Sequence, residues 1–162
     1  MRIMLIFFLL ASCVSENTIK NTSASNQNVE LGFAYLEQGK VPLAKTHFLL
    51  ALQSQPDSVF ARDGLAYYYE VVGEISIAER YYRQALNLKN RQGEAHNNYG
   101  AFLCRHEKYR EGIEQFLMAI QDSAYTHVGS AYAKASLCAS LLQDAPLAKQ
   151  YAKMAARYGV LM

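Results

Sequence analysis

Apolar positions recur along most of this 162-residue chain at helical spacing, and the whole arrangement then recurs every 34 residues. Leu31-Gly32 is followed by Tyr35, Leu65-Ala66 by Tyr69, and Tyr99-Gly100 by Leu103. Further along each unit come Ala44, Phe48 and Ala51, then Ala78, Tyr82 and Ala85, then Gly112, Phe116 and Ala119. Gaps of three and four residues put each group on one face of a helix. Each unit is therefore predicted to be a helical hairpin, helix A followed by helix B. Gly39 and Gly73 fall at the same place in successive units, where a helix C-terminus needs a residue tolerant of positive φ. Pro56 stands where the first unit must stop. Small residues at the eighth and twentieth positions let the two helices approach, and larger apolar residues at the seventh, eleventh and twenty-fourth fill the space beside them. One hairpin buries little, so stacking of units closes the core.

This is the tetratricopeptide (TPR) pattern. It predicts an all-α fold, a right-handed solenoid of antiparallel helix pairs over residues 29–162, with repeats at about 25–58, 59–92, 93–126 and 129–162. In the fourth repeat the frame slips by two residues, in the loop around Ser123-Ala124-Tyr125-Thr126, and Ser136, Ala139, Ala148, Ala152 and Ala155 take the core positions. Alanine where the other units carry a ring predicts a thin core and the weakest unit. TPR arrays bind partners along helix A, and here that face predicts a protein-binding groove of Phe33, Phe60, Asp63, Tyr67, Glu70, Asn97, Ala101 and Arg105. Apolar rings among scattered carboxylates suit an extended or helical peptide. The alternative is a solvated face with a few stray rings. The Lys, Arg and Asn cluster with which some TPR proteins hold a terminal carboxylate is not reproduced: Val29, Phe33, Gly64 and Glu94 occupy its places, and only Asn98 remains.

The N-terminus carries a different signal. Arg2, an apolar run from Ile3 to Leu10 and then Leu10-Ala11-Ser12-Cys13 have the layout of a secretory leader. The tetrapeptide resembles the bacterial lipobox, which implies a signal peptide over 1–12, lipidation at Cys13 and attachment to a membrane by several acyl chains. Val14 follows the cysteine, which by the same resemblance implies an outer-membrane lipid anchor facing the periplasm. Residues 13–28 are rich in Ser, Thr and Asn and predict a flexible tether.

A formal charge of +2 is too small for a polyanion footprint, so no nucleic acid partner is expected. Arg80, Arg83, Lys89 and Arg91 form a basic cluster, but Glu79 precedes Arg83 by four residues, and a solvated outer face accounts for them. Chemistry is hard to find. His106-Glu107 lacks the second histidine of a zinc-protease helix, no Gly-rich phosphate loop or nucleophile elbow occurs, and His96 occupies a packing position. No catalytic residue, metal or cofactor is expected. Cys104 and Cys138 lie at the twelfth and tenth positions of their repeat units, so their side chains point in different directions, which predicts buried free thiols, with a disulfide as the alternative.

The run His96-Asn97-Asn98-Tyr99-Gly100-Ala101-Phe102-Leu103-Cys104, with Ala131 to Cys138, the lipobox and the order of units, resembles the type IV pilus biogenesis and stability lipoproteins, a family of outer-membrane pilotins. The resemblance covers roughly Asn28 to Met162. It implies a non-enzymatic role: binding the pilus secretin subunit, carrying it to the outer membrane and promoting its multimerisation. Family members have about six repeats and this chain about four, so the apolar end at Val160-Leu161-Met162 is expected to meet a partner, meet a second copy of itself, or fray. A general periplasmic TPR adaptor for an envelope enzyme or the outer-membrane assembly machinery is the alternative function.

Overall fold

The computed structural model describes the backbone of residues 3–161 and the side chains of residues 20–161. The expected leader and the expected lipidation at Cys13 fall on residues outside the described side chains. Eight helices make up the described residues: α1 (Ile3–Glu37), α2 (Val41–Ser54), α3 (Val59–Val71), α4 (Ile75–Leu86), α5 (Gln92–Arg105), α6 (Tyr109–Gln121), α7 (Val128–Leu141) and α8 (Ala145–Arg157). They fall into two compact units, residues 1–74 and 75–162, so the repeat at 59–92 contributes α3 to the first and α4 to the second.

In the first unit α1, α2 and α3 close around Phe48, which is fully buried. Its ring lies in a slot between two glycines: a Cβ on Gly32 would come within 2.5 Å of it, and one on Gly64 within 2.4 Å. The 34-residue spacing thus marked Gly32 for its true purpose. The turn after α1 closes through Gly39 at φ +70°, and Lys40 N–H donates to the Tyr35 carbonyl at 2.8 Å. Pro42 opens α2, where a missing N–H costs nothing, and α2 ends at Ser54, just before Pro56.

The tether expectation needs correction over residues 20–28, which are helical. Ser25 is completely buried, Val29 is 7% exposed, and the Asn28 amide donates to the Ala24 carbonyl at 2.9 Å while its oxygen meets His47 Nδ1 of α2 at 2.9 Å. Ser25, the first position of the first repeat, is enclosed where α1 packs in the first unit. Polarity there reflects close helix packing, and composition alone does not distinguish it from a linker.

The second unit pairs α5 with α6 and α7 with α8, and α4 packs on α5. Tyr82, Tyr99 and Phe102 form an aromatic cluster, with the Tyr82 and Phe102 rings 5.0 Å apart. Gly100 and Gly112 bring α5 and α6 together: a Cβ on Gly100 would lie 2.9 Å from the Gly112 carbonyl oxygen. At the turns after α5 and α7, Glu107 and Gln143 adopt φ +63°, where the first two repeats use Gly39 and Gly73. The fourth repeat has a fuller core than its alanines predict, because Tyr151, one position before Ala152, supplies the ring. Ser136 donates from its hydroxyl to the Ala148 carbonyl at 2.8 Å, which satisfies a buried polar group at the helix crossing. Beyond α8, Tyr158 stacks on Tyr132, and Tyr158 and Val160 lie over Gly129.

Cys104 and Cys138 are joined in a disulfide, with Cα atoms 5.8 Å apart, which corrects the free-thiol expectation. Positions twelve and ten lie on opposite flanks of a helix A. When two such helices stand side by side, the twelfth position of one faces forward and the tenth of the next faces back, so their divergence within one helix makes them meet between neighbours. Gly112 makes room for the sulfur of Cys104, which a Cβ there would approach to 2.5 Å.

Candidate protein-binding faces on the A helices

Each unit carries part of the expected groove. In the first, Phe33 of α1 and Tyr67 of α3 are 36% and 38% exposed, and their rings lie 6.0 Å apart. Phe33 also sets its edge on the buried Phe48 ring at 5.1 Å. The exposed pair is thereby seated on the core, which preorganises it for contact. Phe60 and Glu70 are half-buried. Asp63 is only 5% exposed, so it belongs to the packed side of α3 and not to an open rim.

In the second unit Asn97, Ala101 and Arg105 lie along α5. Asn97 is buried, its amide donating to Asn98 Oδ1 and its oxygen accepting from Lys134 Nζ of α7, each at 3.0 Å. Ala101 and Arg105 join Phe116, Lys134, Leu137 and Leu141, with the two disulfide cysteines, around a cleft of about 250 Å³. Leu137 and Leu141, 59% and 51% exposed, stand one turn apart on α7. Burial, and then the nearby Arg105 guanidinium, push the Lys134 ammonium below the usual lysine range. Lys134, Leu137 and Leu141 were absent from the sequence-based groove, which stopped at the third repeat. Their i, i+3, i+7 spacing on α7 was the available signal.

The outer face of the second unit is tied together through Glu79 of α4. Its carboxylate accepts from Arg83 Nη2 at 2.9 Å, from the Tyr99 hydroxyl at 2.9 Å and from Lys108 Nζ at 3.2 Å. Burial works to raise this carboxyl, but the three donors outweigh it and hold Glu79 below its ordinary value. Burial, followed by the Glu79 contact, pushes Tyr99 up to about 12. Arg83 is thus engaged as the sequence suggested. His96 and Gln115 share a hydrogen bond of 2.8 Å, so the histidine is a packing residue.

No protein-family model matches the chain. A Haemophilus influenzae (strain Rd) protein of uncharacterized function is 34% identical over 145 residues, 88% of this chain and 81% of that protein. The type IV pilus assembly protein PilF of Pseudomonas aeruginosa is 30% identical over 160 residues, 93% of this chain and 64% of PilF. Among solved structures, P. aeruginosa PilF superposes with a TM-score of 0.74 at 29% identity, over 85% of this chain and 62% of that one. PilW, a widely conserved type IV pilus biogenesis factor, gives 0.72 at 28% identity, over 83% and 62%. The chain spans just under two thirds of the length of PilF and PilW. Together the repeat, the helix pairs and these likenesses place it: the chain is a tetratricopeptide-repeat protein similar in sequence and fold to the type IV pilus proteins PilF and PilW.

Proposed function

We propose that this protein is a non-enzymatic, pilotin-like adaptor that binds the type IV pilus secretin subunit and promotes its delivery to the outer membrane and its multimerisation there. The observation that carries this reading is the likeness to PilF over 93% of the chain. The helix A faces support it, since they offer exposed apolar anchors of the kind that bind protein partners. Lipidation at Cys13 would hold the protein to the outer membrane on its periplasmic side. Deleting the gene should leave secretin monomers and few detergent-resistant multimers in outer-membrane fractions. Unchanged multimers on a blot would transfer the protein to the class of general periplasmic adaptors. Labelled palmitate should enter the wild type and not Cys13→Ala, and equal labelling of both would remove the anchor from the scheme.

A further inference from the structure

The cleft between α5 and α7 has two features that packing of the second unit does not explain. Its walls are apolar, built from Ala101, Phe116, Leu137, Leu141 and the disulfide, and two adjacent leucines on a well-packed helix stay more than half exposed. A positive charge also stands beside it. Lys134 is half-buried and hydrogen-bonded to the neutral Asn97 oxygen, and among the described residues it has no ion pair. Removing a charge from water without a countercharge is unfavourable, and Arg105 adds a second cation at the same cleft. An incoming carboxylate would supply what Lys134 lacks, while an apolar side chain beside it would cover the leucines.

We propose that this cleft docks an internal segment of a partner protein that presents one apolar side chain next to an Asp or Glu carboxylate. The proposal rests on the partner-binding reading above and adds the chemistry that one part of the face selects. A volume of about 250 Å³ suits a single side chain, so the cleft takes one anchor and not a long apolar ridge. Charge complementarity then sets which anchors are accepted.

The test uses an end-blocked peptide with a central Leu-Glu pair in a Gly-Ser background and its Leu-Gln twin, each titrated into the full chain by NMR. The Glu peptide should bind at least about fivefold tighter than the Gln peptide, as expected for a close pair between opposite charges. Lys134→Met should abolish that preference, and Leu137→Ser should weaken both peptides by a similar factor while the thermal melt stays cooperative. Lys134→Gln serves as a second variant should methionine disturb the helix. Equal affinity of the two peptides for the wild type, a preference that survives in both Lys134 variants, or no binding of either peptide up to about 5 mM would overturn the proposal. The same variants assayed against secretin separate the two readings. Secretin binding with no peptide preference removes only the cleft assignment, whereas peptide preference without secretin binding removes only the pilotin role.

Discussion

Phe48 shows how one side chain can depend on two absences. It fills the space between α1 and α3 only because Gly32 and Gly64 leave their Cβ positions empty. Gly64→Ala places a methyl carbon 2.4 Å from the ring, and the ring is fully enclosed, so it cannot swing away. Overpacking of this kind costs about 1–3 kcal/mol, which urea denaturation should register with little change in far-UV circular dichroism. A ring on the opposite side of the same cluster should behave in the reverse way. Tyr67 is 38% exposed and touches Phe33. Tyr67→Ala should therefore melt close to the wild type while weakening partner binding by about 2 kcal/mol, the usual cost of losing an aromatic anchor. Normal binding by Tyr67→Ala, measured by pull-down of the proposed secretin partner, would move the anchor elsewhere on the face. Gly32 was legible as a periodic small residue, but Gly64 was not, because its importance arises only when Phe48 from another helix arrives beside it.

At the scale of elements, the spacing of apolar residues located every helix pair, and the chain's polar residues decided how the pairs are fastened. Asp122, just after α6, accepts from Gly93 N–H in the first turn of α5 at 2.8 Å and from Ala124 N–H at 2.9 Å. It caps a helix that begins 30 residues earlier, whose own N-cap residue, Arg91, offers no side-chain cap. Hydrogen bonds from Ala124 and then Gly93 hold the Asp122 carboxyl below its ordinary value. Glu79 is lowered by its three donors in the same way. For both groups the folded state binds its proton less readily than the unfolded chain. Their contribution is present above about pH 4–4.5, the ordinary carboxylate range, and is lost as pH falls through the lower folded values. Glu79→Gln should thus lower the melting temperature at pH 7, and the difference from wild type should shrink as the pH is taken toward 3. A constant difference across that range, followed by calorimetry, would show that the Arg83, Tyr99 and Lys108 contacts do not depend on the charge of Glu79. Glu79 and Arg83 could be paired from their spacing, whereas the arrival of Tyr99 and Lys108 could not, since they come from 20 and 29 residues away.

For the whole molecule, the disulfide joins the third and fourth repeats across 34 residues of sequence. Closing a loop of that length in the unfolded chain stabilises the fold by about 3–4 kcal/mol on chain-entropy grounds. The double replacement of Cys104 and Cys138 by Ser should lower unfolding free energy toward that extent. Dithiothreitol should bring the wild type close to the variant without further effect on the variant itself. A reductant effect of equal size on both proteins would place the sensitivity elsewhere. The sequence by itself determined the all-helical class, the repeat length, the turn positions and the two-residue slip of the last repeat, because all of these follow from local periodicity and from residues whose backbone preferences are intrinsic. Tertiary structure alone decided that residues 20–28 are helical and packed, that two cysteines on opposite flanks of their helices are bonded, that Asp63 and Asn97 are buried, and that Lys134 stands beside an apolar cleft. Each of those outcomes depends on what a neighbouring helix brings to the spot, and a helix written in isolation records its own apolar face but not the identity of the side chains that will face it.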